Sequence, residues 1–129
     1  MDPDKLARAL ADRFQRIVPE GYRVYEDRAM LRYTSPSEAP YYGGGGSGSY
    51  IVENLGNGDT PEERLAWCAE HALGELQDHV DERSAEPWPG VRTVPQPHAA
   101  VRHGKLHIWF GDADAPEFEC EPIELATLD

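Results

Sequence analysis

The chain has 129 residues and a mass of 14.4 kDa, one ordinary domain without room for two independent cores, so a TIM barrel or a complete dinucleotide-binding enzyme is excluded. Twelve basic against 24 acidic residues give a formal charge of −12, which argues against nucleic acid or an anionic membrane as partner, because phosphate binding needs clustered Lys and Arg. No stretch approaches the roughly 20 apolar residues of a membrane span, the acidic opening Met1-Asp2-Pro3-Asp4 is unlike a signal peptide, and Cys68 and Cys120 lie far apart, so a cytoplasmic protein with reduced thiols is expected.

The first helix starts at Asp2, a capping residue, with Pro3 at its first position. Leu6, Leu10, Phe14, Ile17 and Val18 form one apolar stripe, and Pro19 and Gly21 stop the helix. Two strands follow, Tyr22 to Glu26 and Ala29 to Thr34, as a hairpin around Asp27-Arg28. Tyr22, Val24, Leu31 and Tyr33 share one face of it, and Arg23, Tyr25, Met30 and Arg32 the other. Ser35 to Ser49 contains Pro36, Pro40 and the run Gly43 to Ser49, and reads as a flexible Pro/Gly/Ser-rich loop. A short strand, Tyr50 to Asn54, is expected next.

Thr60-Pro61-Glu62-Glu63 is the clearest local signal: a capping threonine, proline at the first helical position, and a glutamate placed for the return arm of a capping box. The second helix runs from there to about Arg83, with Leu65, Ala69, Ala72, Leu76 and Val80 as its core stripe. A Pro-rich crossing follows, Glu86 to Gly90. The next hairpin turns at His103-Gly104, pairing Val101 with Leu106 and Ala99 with Ile108. The last strand, Glu117 to about Leu125, is interrupted by Pro122, which marks an edge strand or a bulge. The order is α-β-β-β-α-β-β-β. It predicts an α+β domain over residues 1–129: a mainly antiparallel sheet of five to six strands with both helices on one face. The αβββ order occurs twice, without a sequence repeat that argues duplication, and two small sheets are the alternative to one.

The pattern is poor in chemistry. The glycine run lacks the Gly-Lys-Ser/Thr opening a helix that a phosphate loop requires, and no Lys or Arg lies between Tyr33 and Arg64. His71 and His79 are about 12 Å apart along a helix, too far to share one zinc ion. Cys68 and His71 are one turn apart, but acidic neighbours and a place far from the helix N-terminus do not suit a reactive thiolate. No catalytic residues, metal ligands or cofactor are therefore assigned.

Two sets of side chains remain as binding candidates. Trp67 points nearly opposite the core stripe of the second helix at 100° per residue, on a face shared with His71, Asp78 and Glu82. An outward Trp gains little in a monomer and suits an interface, including a homodimer through this helix. His98, His107 and Trp109 share the solvent side of the second hairpin. Residues 36–129 carry 18 acidic and five basic groups, against six and seven in residues 1–35. The expected function is a small acidic binding or adaptor domain that meets an unidentified, basic protein partner. An inhibitor, a chaperone of a basic client or a nucleic-acid mimic all fit that charge. The alternative is a ligand-binding or enzymatic domain using the His98, His107 and Trp109 face under the glycine-rich loop.

Overall fold

The computed structural model describes residues 1–37, 47–84, 87–89 and 95–129. Helix α1, Pro3–Gln15, is capped by Asp2, whose carboxylate accepts the Asp4 N–H at 2.9 Å. It buries Leu6, Leu10 and Phe14 completely, each burial contributing roughly 1.5–3 kcal/mol. Ile17 and Val18 lie past its end, half-buried in the following turn.

Strands β1, Arg23–Asp27, and β2, Met30–Thr34, pair antiparallel with Val24 opposite Tyr33 and Glu26 opposite Leu31. Tyr22, Val24, Leu31 and Tyr33 are all buried. The turn is Arg28-Ala29, one residue later than the sequence suggests, and both residues have positive φ, 55° and 60°. A two-residue hairpin turn of the type that matches strand twist demands this at both positions, at a cost to side chains other than Gly, Asn or Asp.

The end of the glycine-rich segment, 47–49, departs from its reading as loop. Strand β3 is Ser47–Tyr50, paired antiparallel to β2 with Leu31 opposite Ser49. Of the strand expected over Tyr50 to Asn54 only Tyr50 is extended: Ile51–Asn54 is a short helix, α2, with Ile51 fully buried. The strand falls on Ser47–Tyr50 because contacts outrank composition here. A Cβ at Gly48 would stand 2.4 Å from the Leu31 carbonyl oxygen, so only glycine lets the strands approach. Ser49 is buried with its hydroxyl 2.6 Å from the Tyr33 hydroxyl, which also donates to the Ala72 carbonyl at 3.0 Å. The rest of the expected loop, 38–46, lies outside the described residues, as do 85–86 and 90–94 of the Pro-rich crossing.

Helix α3, Pro61–Arg83, begins as expected: Thr60 Oγ1 accepts the Glu63 N–H at 3.1 Å. The Glu63 carboxylate reaches one residue further back than a capping box requires, to the Asp59 N–H at 3.0 Å. Its buried side is wider than one stripe. Cys68, Leu73, Gln77 and His79 join Leu65, Ala69, Ala72, Leu76 and Val80, covering about half the circumference at 100° per residue. The helix is buried on two flanks because it touches strands of both sheets.

The second sheet contains β4, Pro97–Arg102; β5, Lys105–Gly111; β6, Pro116–Glu119; and β7, Ile123–Glu124. Its hairpin register agrees with the expected one, with His98 opposite Trp109, Ala100 opposite His107, and the turn at His103-Gly104. β6 and β7 are two halves of the expected last strand, both on β5 and broken around Glu121-Pro122. A turn of 3-10 helix, Leu125–Leu128, closes the chain.

The fold is α+β, as expected, but the single sheet is not formed. There are two antiparallel sheets, one ordered β1-β2-β3 and one ordered β4-β5-β6 with β7 also on β5. A helix side chain covers one outer edge of each. The Gln15 side chain of α1 accepts the Val24 N–H at 2.7 Å and donates to the Tyr22 carbonyl at 3.1 Å. The Glu70 carboxylate of α3 accepts the Ala99 N–H at 3.3 Å, and Pro97 beside it has no N–H to offer. Each first strand therefore ends its sheet against its own helix. One continuous cluster joins α1, α3 and both sheets, with Phe14, Tyr33, Leu73, Leu106, Ile108 and Phe110 among its members.

Candidate functional site

The face of α3 opposite the core is not simply solvated. Trp67, His71, Gly74, Glu75 and Asp78 form one wall of an open groove of about 460 Å³, with Glu70 and Gln77 at its side and Gln96-Pro97, leading into β4, opposite. Gly74 sits at the narrow point, where a Cβ would meet the Pro97 ring at 3.5 Å. Without a side chain there, helix and strand leave open space between them.

Trp67 is 38% exposed. Its indole stacks on the His71 ring with centroids 4.6 Å apart and planes 13° from parallel. His71 Nε2 lies 3.4 Å from a Glu75 carboxylate oxygen. Glu70 stands 3.6 Å from His98 Nδ1 while holding the Ala99 N–H. Asp78 makes no hydrogen bond or ion pair among the described residues. Among the described residues three carboxylates line the groove, and no Lys or Arg does. The local field is negative over an exposed aromatic face, an arrangement that receives a cation.

Three of the four residues expected on this helix, Trp67, His71 and Asp78, line the groove together. Glu82 is exposed further along α3 beside Arg83 at 3.3 Å, outside the groove. Glu70, Gly74, Glu75, Gln77, Gln96 and Pro97 were not among the binding candidates read from the sequence. An isolated glycine inside a strong helical pattern was the available signal, since it costs about 1 kcal/mol against alanine and calls for a packing or functional reason.

The other candidates close on themselves. Trp109 is only 9% exposed. His98 leans on its ring at 5.7 Å, Arg102 lies 5.4 Å over it, and its indole N–H donates to the Gly111 carbonyl at 3.1 Å. His107 is half-buried on the same face. None of His98, His107 and Trp109 lines the groove, although His98 reaches Glu70 at its rim.

The thiols lie inside. Cys68 is fully buried with Sγ 3.8 Å from the Ile51 carbonyl oxygen, while His71 turns outward to Trp67. Burial, aided by the nearby Glu75 charge, pushes the Cys68 thiol up to about 12. Cys120 is likewise pushed up to about 12 by burial. Neither is a nucleophile at neutral pH. Among the described residues no three His, Cys, Asp or Glu gather as a metal site, and no helix is long and apolar enough to cross a membrane. No family model matches the chain, and no curated protein or solved structure matches it either.

Proposed function

We propose that the protein is a non-enzymatic binding module that takes a basic segment of another protein into the α3 groove. The carrying observation is the groove's lining, with Glu70, Glu75 and Asp78 around the Trp67–His71 stack and, among the described residues, no basic side chain to neutralise them. The net charge of −12 extends the same field over the molecule and draws such a partner from a distance of about a Debye length, 8 Å at physiological salt. A homodimer joined through this face would bring two sets of three carboxylates together, a concentration of like charge. A different polypeptide is the better occupant.

The test is titration of a fluorescein-labelled basic peptide, followed by anisotropy. Binding should weaken with added salt. Neutralising Glu75 and Asp78 together, by Glu75→Gln and Asp78→Asn, should weaken it about three- to thirtyfold, the sum of two exposed ion pairs of about 0.2–1 kcal/mol each and the lost field. Binding that ignores both substitutions would place the basic partner elsewhere or nowhere.

A further inference from the structure

The groove has a length and two unlike ends. Trp67 and Glu70, one turn apart on α3, stand at one end, and Glu75 and Asp78 at the other. From the first pair to the second is eight residues of helix, about 12 Å at 1.5 Å per residue. An extended chain rises about 3.4 Å per residue and presents alternate side chains to the same side, so residues four apart are about 13.5 Å apart and face one way. Residues three apart face opposite ways.

The ends also differ in chemistry. At the first, the indole of Trp67 is stacked on His71 and is 38% exposed, with a carboxylate one turn on. A planar guanidinium can layer on the ring while its fixed N–H groups reach that carboxylate. An ammonium is a point charge with a stronger hold on its water and gains less from a ring face. The molecule holds a filled version of this assembly beside the groove: Trp109 carries the Arg102 guanidinium on its ring and His98 at its side, and His98 is paired to the same Glu70. Trp67 has its histidine, which pairs with Glu75, and Glu70 one turn on, but among the described residues no arginine lies on it. At the second end Glu75 lies 3.4 Å from His71 Nε2, Asp78 makes no hydrogen bond or ion pair among the described residues, and the two offer charge.

We infer that the groove recognises an extended segment with an arginine at one position and a second basic residue four positions away, the arginine on Trp67 and Glu70 and the other cation on Glu75 and Asp78. This rests on the groove being the basic-partner surface, and it adds the residue type and the spacing. The test uses the full chain and fluorescein-labelled Gly/Ser peptides carrying two arginines four apart, two arginines three apart, one arginine, or two lysines four apart. The four-apart arginine peptide should bind best. The three-apart peptide should bind no better than the single-arginine peptide, because only one side chain can face the groove. The lysine peptide should bind about two- to fivefold more weakly, the scale of an exposed cation–π contact. Trp67→Leu, which keeps an apolar side chain at an exposed site, should erase the arginine preference, and Asp78→Asn should weaken both four-apart peptides alike. Thermal melts of each variant establish that it is folded. Equal binding of the arginine and lysine peptides, or a preference that survives Trp67→Leu, overturns the inference while a dependence on Asp78 keeps the groove as the basic-partner surface. Failure of every basic peptide to bind removes both.

Discussion

Gly74 separates the demands of folding from those of the groove. It lies in the middle of α3, where glycine costs roughly 0.5–1 kcal/mol against alanine through backbone freedom lost on folding. Its backbone is ordinary helix, so alanine meets no conformational strain. The added Cβ would meet the Pro97 ring at 3.5 Å, an ordinary van der Waals distance, with nothing else within 4 Å. The new methyl is only partly covered and adds a fraction of the roughly 0.8 kcal/mol of a fully buried one. Gly74→Ala should therefore stabilise the protein by about 1 kcal/mol. That should appear in urea denaturation as a higher midpoint at unchanged slope, and as a melting temperature raised by roughly 3–5 °C for a chain of this size. Gly74→Lys extends the argument. Lysine is also a good helix former, and its stem can leave along the open groove, so folding should not suffer. Its ammonium would stand among Glu70, Glu75 and Asp78, and basic-peptide binding should fall at least about tenfold. A destabilised Gly74→Ala would show that α3 and Pro97 are in tighter contact than described, with no groove between them. A Gly74→Lys variant that binds basic peptide as well as the parent would refute the groove as the binding surface.

Other perturbations test other parts of the fold. Gly48→Ala should cost more than about 2 kcal/mol, because its Cβ would fall 2.4 Å from the Leu31 carbonyl oxygen and force β3 off β2; chemical denaturation measures it, and a neutral result would mean that β3 is not paired as described. Replacing Arg28-Ala29 by Asn-Gly, whose residues accept positive φ, should stabilise by roughly 1–2 kcal/mol in the same assay. Native Cys68 and Cys120 should resist a thiol reagent at neutral pH and react only on unfolding, because both are buried and protonated. Their folded values lie above the ordinary 9.0, so unfolded thiols lose their protons first. The stability these thiols contribute is whole below pH 9 and declines as pH rises toward 12, by up to about 1.4 kcal/mol per pH unit for each thiol. Burial pushes the Tyr33 hydroxyl up as well, in the same direction. Denaturation midpoints between pH 8 and 11 that do not fall would contradict the sign.

Elements whose signals are local were legible from the sequence. The caps at Asp2 and Thr60, the stripes on α1 and α3, and the turn at His103-Gly104 each rest on residues close in the chain, and the β4–β5 register followed from alternation around that turn. What escaped depends on residues distant in sequence. Ser47-Gly48-Ser49 has no strand propensity of its own and is held by Leu31, Tyr33 and Ala72. Two sheets replace one, and Gln15 and Glu70, polar residues that read as helix surface, hold strand edges. The groove was half visible. Helical phase places Trp67, His71 and Asp78 together, but the opposite wall, Gln96-Pro97, comes from another element, and helical phase cannot show that Glu82 falls outside. His98 and Trp109 read as an open pair because only the structure shows Arg102 folding over the ring.

The two edge clamps occupy corresponding places. Val24 and Ala99 each stand three residues before the end of their strands and receive a helix side chain on the backbone N–H; their partners across the hairpin are Tyr33 and Ile108. An unclamped outer strand is a template on which a strand of another molecule can grow. The opposite rim of the second sheet is guarded differently, by brevity, by Pro116 and Pro122, and by Glu117 and Glu119 along β6. Gln15 thus covers an edge on which another strand could add, a contact that its position on a polar helix flank conceals. Removing its amide would leave the β1 edge open, and the damage would show less in the melting of a dilute sample than in how that sample ages when concentrated.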